Sequence, residues 1–448
     1  MRTPVCDFVE AYRGRQTLRL HMPGHKGEAR LGVESLDITE IEGADVLYGG
    51  GDGILHESEA NAAALFGSAV TLYSAEGSSL SIRAMLYLAL LYAKEQGKRP
   101  LILAGRNAHR AFLGAAALLD AEVEWLWGEE TESDGLLSCT VTPAGLSRRL
   151  AELGEEPVAV YLTCPDYLGN TVDVAALAEV CHKRGILLLI DNAHGAYLRF
   201  LPCSLHPMDL EADACCDSAH KTLPALTGAG YLHLSRRAPS LFLEQAERAM
   251  GLFASTSPSY LILQSLDGVN RYLAEGYRER LAAFVSAVDE WKARLVSAGF
   301  SLVGDEPLKL TVATKPYGYF GTEVASYLEK AGLICECADR DHAVMMLTPE
   351  LGEEALKGIG ERLLALPRRA AIVEPIPRMV RGERACSIRE ALMTAGKELA
   401  IEDCVGKVLA DATVSCPPAV PIVVCGEVIT EGAVECMRYY GMDKCRVL

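Results

Sequence analysis

The chain has 448 residues, of which 50% are hydrophobic and 23% charged, the balance of a globular protein with more than one packed unit. With 43 basic and 60 acidic residues its formal net charge is −17, and such a surface repels phosphate backbones, so we expect no nucleic-acid partner. The sequence has no apolar run of the ~18 residues that span a bilayer and no apolar leader at its start, so we expect a cytoplasmic protein without membrane contact.

Fifteen cysteines are scattered through apolar stretches, and no two form a CxxC pair. Four of them (Cys416, Cys425, Cys436 and Cys445) follow one another at intervals of about ten residues, which fits no common zinc pattern. We therefore expect reduced, mostly buried thiols and no metal site.

Short apolar runs alternate with helical patterns from about residue 60 to 235. The predicted strands are Val70–Ser74, Leu101–Leu103, Val123–Trp127, Val158–Thr163, Ile186–Ile190 and Gly230–Leu234. The predicted helices between them include Ile82–Ala93 and Val174–Arg184. This alternation indicates βαβ crossovers and a mostly parallel sheet, an α/β domain whose ligands bind at the carboxyl ends of the strands.

A second α/β unit is predicted after a long helix that begins after Asp267 and runs through Tyr272 to Ala298. Its elements are strands at Leu308–Ala313, Leu333–Cys337 and Ala343–Leu347 and helices at Thr322–Lys330 and Gly352–Leu366. One more helix is expected at Ile388–Ala395. The predicted domains are an N-terminal arm (1–45), a large domain (46–270), a small α/β domain (271–370) and a C-terminal domain (371–448).

Two residues indicate a site for pyridoxal phosphate (PLP). Asp191 ends the buried run ILLLID, and a carboxylate there needs a cationic partner, which a pyridinium nitrogen would supply. Lys221 follows in SAHKTL, and a desolvated lysine amine loses its proton readily, as a lysine that forms a Schiff base with PLP must. A strand-end aspartate taken alone is more often a helix cap, so the prediction depends on the order and spacing of the two residues.

The remaining parts of a PLP site have candidates upstream. Gly77, Ser78 and Ser79 lie in a turn between a strand and a helix, where free amides bind phosphate, although a serine N-cap with a glycine turn explains the same residues. His109 follows the strand LIL, where a neutral imidazole would stack on the pyridine ring. An ordinary loop histidine is the alternative.

Segments from both ends of the chain resemble the Orn/Lys/Arg decarboxylase family, in its shorter bacterial branch. They are HMPGHKG (21–27), GRNAHRAF (105–112), DNAHGA (191–196), SAHKTLPALTG (218–228), STSPSY (255–260), SIREA (387–391) and CPPAVP…CGE (416–427). The resemblance implies PLP fold type I, the aspartate-aminotransferase-like fold. Its parts would be a large α/β domain around a mostly parallel sheet, a smaller α/β domain and a C-terminal decarboxylase-family domain.

The resemblance also implies roles for the cofactor residues. Lys221 would carry PLP and Asp191 would hold its pyridine nitrogen, with His109 on one ring face and Ala193 on the other. His194 matches a family histidine beside the cofactor. Phosphate contacts are implied for Gly77, Ser78, Ser79, Ser218 and His220. Ser255 and Thr256 match a segment that reaches the phosphate of the other subunit, which implies a homodimer with composite active sites; the sequence does not decide whether dimers pair further.

The residues that recognise the substrate are less clearly indicated by the sequence than those that hold the cofactor. The acceptor candidates for the cationic end of the substrate are Asp166, Glu57 and Glu76, and His25 matches a residue near the mouth of the site. The chain departs from the usual family pattern at Asn192 (usually Glu), Asp166 (Thr), Ala111 (Ser), Gly228 (Gln), Ile388 (Pro) and Cys416 (aromatic). Several of these positions fall on the substrate side of the pocket, so the choice among basic amino acids stays open.

The reaction that the resemblance implies is decarboxylation of lysine, ornithine or arginine. Lys221, His220 or His194 would return a proton to Cα after CO2 leaves. A second hypothesis keeps PLP but has transamination or elimination as the reaction, with Arg389 or Arg362 holding the substrate carboxylate, and no motif supports it. A third is a non-catalytic relative with a binding or regulatory role, which would not require the complete cofactor set.

Overall fold

A computed structural model describes residues 1–15, 17–41, 46–128, 138–375, 377, 381–412 and 422–448. Cys416, the segment 416–421 of the family-like tail and the predicted end of the arm at residue 45 lie outside them. The chain divides into two compact units. The first contains Met1–Pro100, Val158–Tyr161 and Val174–Arg280, and the second contains Leu101–Pro157, Leu162–Asp173 and Leu281–Leu448. The division into four domains stays a prediction.

Seven strands form the largest sheet. In chain order they are β1 (Val70–Ser74), β2 (Leu101–Gly105), β3 (Glu122–Leu126), β4 (Ala159–Thr163), β5 (Leu187–Asp191), β6 (Ala214–Asp217) and β7 (Gly230–Leu234), and their order across the sheet is β1-β7-β6-β5-β4-β2-β3. β5 pairs with β6 in parallel, as β2 does with β3, whereas β7 is antiparallel to both of its neighbours. The predicted mostly parallel α/β sheet is confirmed.

The first unit takes its core from strands whose residues are apolar on both faces, since every residue of β5 and β7 is buried. The α-helices of the described residues, in both units, are α1 (Pro4–Gly14), α2 (Ile54–Phe66), α3 (Ser78–Glu95), α4 (Arg110–Leu119), α5 (Pro143–Glu152), α6 (Val174–His182), α7 (Ala219–Thr222), α8 (Ser240–Gly251), α9 (Tyr260–Ala274), α10 (Tyr277–Ser297), α11 (Gly321–Glu329), α12 (Gly352–Leu364), α13 (Ile388–Met393) and α14 (Glu431–Tyr439). None of the helices in the described ranges is both long and apolar enough to cross a membrane.

The second unit also contains two small antiparallel sheets. Strands β8 (Ser301–Val303), β9 (Lys309–Ala313), β10 (Cys337–Ala338) and β11 (His342–Met346) lie in the order β10-β11-β9-β8. Strands β12 (Lys397–Ala400) and β13 (Lys444–Val447) form a pair near the C-terminus. An apolar cluster that includes Leu409, Ile429 and Met437 is buried beside this pair. The C-terminal part of the chain therefore has a small core of its own.

Two predicted elements were wrong. The single helix predicted from after Asp267 to Ala298 consists of parts of two helices, because α9 begins at Tyr260 and ends at Ala274, before Gly276 with its φ of +70°. The strand predicted at Leu333–Cys337 is reduced to β10, which begins only at Cys337. Its apolar residues had suggested a core strand, but Ile334 is 85% exposed.

Candidate active site

Lys221 and His194 meet at the carboxyl ends of two parallel strands. β5 ends at Asp191 and leads into the loop that carries His194, while β6 ends at Asp217 and leads into the short helix that carries Lys221. Nζ of Lys221 lies 3.0 Å from Nε2 of His194, within hydrogen-bonding distance. Because the two strands are parallel, both loops leave the same edge of the sheet, where α/β proteins bind their ligands.

Asp191 is a buried carboxylate held by three donors. It is only 2% exposed, and its Oδ2 accepts from the hydroxyl of Tyr161 at 3.1 Å. Its Oδ1 accepts from the backbone N–H of Ala193 at 3.2 Å and from the thiol of Cys216 at 3.5 Å. Burial, and then the charge of Asp191, raises the pKa of Tyr161 well above its ordinary value, so the phenol keeps its proton and donates it. These donors stabilise the ionised carboxylate that a pyridinium partner requires.

The predicted phosphate turn lies at the start of a long helix. Gly77 has a φ of +65°, which favours glycine, and Ser78 and Ser79 are the first residues of α3. The hydroxyl of Ser218 donates to that of Ser78 at 2.9 Å. A Cβ on Gly230 would lie 2.8 Å from the carbonyl carbon of Gly77, so only glycine lets β7 approach this turn. The first amides of a helix have no acceptor within it, so the turn offers amides and hydroxyls to an anion.

His220 lies beside the same turn. Its Nδ1 is 2.8 Å from the carbonyl oxygen of Ala229, which can only accept, so Nδ1 carries a proton and donates it. Its Cε1 lies 3.6 Å from the position that a Cβ on Gly77 would occupy. The ring therefore lies next to the turn at Gly77.

His109 belongs to the second unit, where it is the N-cap of α4. Its Nδ1 accepts from the backbone N–H of Ala111 at 3.2 Å, which stabilises the start of that helix. This contact gives the ring a local structural role. Ala193 is a buried residue, 7% exposed, between Asp191 and His194 in the first unit. The stacking roles of His109 and Ala193 stay predictions.

Asp166 is hydrogen-bonded within its own loop. It is 3% exposed, and its Oδ1 accepts from the backbone N–H groups of residues 168–170 at 2.9 Å each. Its Oδ2 accepts from Nδ2 of Asn170, also at 2.9 Å. Burial raises the pKa of Asp166. These four bonds account for a buried carboxylate here without a substrate cation, and the substrate role of Asp166 stays a prediction.

Two other candidates for substrate recognition lie in ion pairs. Glu57 on α2 pairs with Arg2 at 3.1 Å, and both side chains are largely exposed. Nε2 of His25 lies 3.1 Å from Oδ2 of Asp37, and its Nδ1 accepts from the backbone N–H of Gly27 at 3.0 Å. Since Nδ1 accepts, the proton of His25 is on Nε2 and is donated to Asp37. Their roles toward a substrate stay predictions.

Glu76 connects the phosphate turn to the STSPSY segment of the same chain. It directly precedes Gly77, and its Oε1 accepts from the backbone N–H of Ser255 at 2.7 Å. Ser255 and Thr256 are both exposed. Their contact with the phosphate of a second subunit stays a prediction.

Sequence reasoning missed Tyr161 and a buried cluster around Asp217. Oδ2 of Asp217 accepts hydrogen bonds from Nε2 of both His206 and His233, and none of these three side chains is exposed. One signal could have found the cluster. Asp217 is a carboxylate at the end of an apolar run, directly before Ser218, and a buried carboxylate there needs hydrogen-bond donors.

The family is decided by a match between residues 3–299 and the family model for the Orn/Lys/Arg decarboxylase major domain. The chain belongs to the Orn/Lys/Arg decarboxylase family. This decarboxylase-family chain is 27% identical to the uncharacterized protein YaaO of Bacillus subtilis, with 97% of this chain and 93% of that protein covered. It is 25% identical to an arginine decarboxylase of the same organism, with 96% and 91% covered.

Among solved structures, the family member resembles the lysine decarboxylase of Francisella novicida with a TM-score of 0.79. The match covers 100% of this chain and 81% of that one, at 14% identity. An identity this low shows the fold alone. The predicted family and the predicted PLP fold type I are both confirmed, whereas the relatives leave the substrate undecided.

Proposed function

We propose that the protein is a PLP-dependent decarboxylase that converts lysine, ornithine or arginine to the corresponding amine and CO2. The observation that carries the proposal is the 3.0 Å contact between Nζ of Lys221 and Nε2 of His194, in loops that follow neighbouring strand ends. Membership of the Orn/Lys/Arg decarboxylase family supports the reaction class. Relatives in sequence that carry the name arginine decarboxylase support a basic substrate.

The residues present fit PLP. A lysine amine lies beside an imidazole, a buried carboxylate ends the neighbouring strand, and a glycine turn with serine hydroxyls opens α3. Lys221 would hold the cofactor, Asp191 its ring nitrogen and the Gly77–Ser79 turn its phosphate. When bound, PLP accepts the electron pair left on Cα as the carboxylate of the amino acid departs.

The chain's own side chains would hold and move the protons. The carboxylate of Asp191 accepts a hydrogen bond from Tyr161 and would hold the proton of the cofactor's ring nitrogen. Lys221 and His194 share a hydrogen bond between an amine and an imidazole, in which one nitrogen donates and the other accepts. Either of them can return a proton to Cα, the role of a general acid.

The cationic end of the substrate needs an acidic partner, and we propose Glu76. Asp166 already accepts four hydrogen bonds from its own loop, and Glu57 pairs with Arg2. Glu76 is exposed and lies next to the phosphate turn at Gly77. An exposed carboxylate can rearrange to meet an ammonium or guanidinium group at little cost.

We further propose a homodimer. The N-terminal arm carries large apolar side chains on its surface, with Leu18 83%, Leu20 86% and Leu31 88% exposed. Apolar residues clustered on one short segment favour burial against a partner. Light scattering should give twice the mass of the chain, and replacement of these three leucines by serine should shift the protein towards monomer.

The function is tested with a panel of carboxyl-labelled lysine, ornithine and arginine incubated with the protein and PLP. We expect labelled CO2 from at least one of them, and no release by the Lys221→Ala variant. Borohydride reduction followed by peptide mass spectrometry should place the pyridoxyl group on Lys221. Full turnover by Lys221→Ala, or a keto acid or ammonia as product in place of CO2, would overturn the proposal.

A further inference from the structure

A fully buried hydrogen-bond network adjoins the two loops that carry Lys221 and His194. Its centre is Asp217, the last residue of β6. Nε2 of His206 lies 3.0 Å and Nε2 of His233 lies 3.2 Å from Oδ2 of Asp217. The other oxygen, Oδ1, accepts from Nδ2 of Asn192 at 2.7 Å. Carboxylates are seldom buried unless their hydrogen bonds are satisfied. Here Asn192, His206 and His233 supply the donors for Asp217.

The two histidines act as neutral donors. The backbone N–H of Met208 donates to Nδ1 of His206 at 3.3 Å, so the proton of this ring is on Nε2, where it points at Asp217. Nδ1 of His233 lies 2.8 Å from the hydroxyl of Thr71, and burial lowers the pKa of His233, which keeps this ring neutral as well. The network therefore carries one negative charge, on Asp217.

The same hydrogen bonds argue against a metal ion at this cluster. An ion on Nε2 of His206 would require the ring proton to move to Nδ1, and Nδ1 already faces the N–H of Met208. Two N–H groups would then point at each other. The geometry is that of a carboxylate between hydrogen-bond donors.

The network links the loop that carries His194 to the segment that carries Lys221, whose side chains lie 3.0 Å apart. Asn192 lies between Asp191 and His194 in sequence, and Asp217 lies four residues before Lys221. The backbone N–H of Asn192 also donates to the carbonyl of Cys216 at 2.9 Å, which extends the pairing of β5 and β6 by one bond. The Asn192–Asp217 bond thus joins the two loops just where the strands that support them end.

We propose that Asn192 and Asp217, with His206 and His233, are positioning residues that set the approach of His194 to Lys221. The chain has an amide at 192 and a carboxylate at 217, on the other side of the same hydrogen bond. The negative charge of this pair therefore lies on Asp217, at the end of the strand that leads to Lys221. The proposal rests on the proposed function for the identity of the cofactor, whereas the network itself is present in the protein without PLP.

The test is an exchange of the two side chains. Asp217→Asn removes the one negative charge of the network and keeps a hydrogen bond to residue 192 only if the Asn192 amide rotates, whereas Asn192→Asp leaves two carboxylates facing each other. In the double variant N192D/D217N, the new Nδ2 at 217 can donate to the new carboxylate at 192, and the new Oδ1 at 217 can still accept from His206 and His233. We expect each single variant to lose at least about tenfold in kcat with KM changed less than about threefold, and the double variant to recover most of this loss.

Two readouts do not depend on turnover. The pH titration of the visible absorbance of added PLP reports on Lys221, and ¹⁵N shifts of histidine rings in the PLP-free protein report the Nε2–H tautomers of His206 and His233. We expect the single variants to shift the absorbance titration and the double variant to restore it. If no basic amino acid is decarboxylated, the proposed function fails, but the absorbance titration and the ¹⁵N shifts still test whether the network positions Lys221.

Asp213 provides a matched control at the opposite end of β6. It is buried, accepts from His182 at 3.0 Å and from the backbone N–H of Leu188 at 2.7 Å, and directly precedes Ala214. Asp213→Asn should lower thermal stability and leave the absorbance titration unchanged. If Asp213→Asn and Asp217→Asn shift the titration equally, or if the exchanged pair recovers stability without recovering kcat and the titration, the positioning role is overturned.

Discussion

The hydroxyl of Tyr161 donates to Oδ2 of Asp191 at 3.1 Å, from the strand next to β5 in the sheet. Neither side chain is accessible, since Tyr161 is fully buried and Asp191 is 2% exposed. A buried carboxylate loses most of its hydration, so each remaining donor contributes strongly to its ionised form. Tyr161 therefore supports the charge on which the candidate cofactor site depends.

Tyr161→Phe should destabilise the PLP-free protein by about 1.5–3 kcal/mol, the range for a hydrogen bond to a charged group. The measurement is the free energy of unfolding in urea. Tyr231→Phe is the matched control, because Tyr231 is equally buried and its hydroxyl has no hydrogen-bond partner among the residues that the structure describes. Removal of the Tyr231 hydroxyl should change the free energy of unfolding little. If the two variants lose equal stability, the role given to Tyr161 is contradicted.

The strands of the large sheet were predictable because their signal is local. Val70–Ser74 and Gly230–Leu234 agree with β1 and β7 at both ends, since each is a short apolar run next to a glycine, charged or small residue. The run at Leu333–Cys337 carries a similar composition but lies on the surface with Ile334 exposed. Composition gives no account of what packs against a segment, so this strand could not be excluded from the sequence.

The candidate site was predictable where its residues follow a strand. Asp191 and Lys221 were found because each comes just after an apolar run, and parallel strands bring their ends together. The partner of Asp191 was missed because Tyr161 lies thirty residues away and meets it only through the order of the strands. His206 was missed for the same reason, since it lies in a loop outside any periodic pattern and meets Asp217 only in the folded chain.

His194→Ala should lower kcat by about 10²-fold or more, the usual contribution of a general acid or base, while PLP still binds to Lys221. The measurements are steady-state CO2 release and the visible absorbance of the bound cofactor. His182→Ala is the control, since His182 ends α6 before β5 begins and pairs with Asp213 at 3.0 Å. A kcat for His194→Ala as high as that of His182→Ala would remove His194 from the reaction.

Gly230→Ala should weaken PLP binding, because its Cβ would lie 2.8 Å from the carbonyl carbon of Gly77 and 3.0 Å from the carbonyl oxygen of Asp217. Both are backbone atoms, which cannot move aside without displacing the turn. A strain of about 1–3 kcal/mol corresponds to roughly a fivefold to 150-fold rise in the dissociation constant. The constant is obtained by titrating the PLP-free protein and following absorbance.

Gly268→Ala is the matched control for this substitution. Gly268 lies inside α9, and a Cβ there would meet nothing within 4 Å. Alanine favours a helix over glycine by about 0.5–1 kcal/mol, so this variant should be as stable as the parent or more stable, with unchanged PLP binding. An unaltered dissociation constant in Gly230→Ala would show that the close approach of β7 to the turn is dispensable.

Stability should fall as the pH drops below about 6.5, and His233 should account for part of the fall. Burial lowers the pKa of His233 in the folded protein, whereas the ordinary value of 6.5 applies to the unfolded chain. Below that pH the unfolded chain therefore binds the proton and the folded protein does not, so acid favours unfolding. One such group contributes at most about 1.4 kcal/mol per pH unit.

Asp217 does not obscure this dependence. Burial opposes its ionisation, yet the hydrogen bonds that it accepts from His206 and His233 hold the pKa of Asp217 below its ordinary value. Asp217 therefore stays ionised across the window of the measurement, roughly pH 5 to 7.5. In His233→Gln the amide can still donate to Asp217 but cannot titrate, so the midpoint of urea unfolding should depend less on pH across this window. His182→Gln removes a histidine that is 22% exposed and should leave the slope steeper than His233→Gln does. If His233→Gln keeps the full slope of the parent, the buried imidazole is not the source of the acid sensitivity.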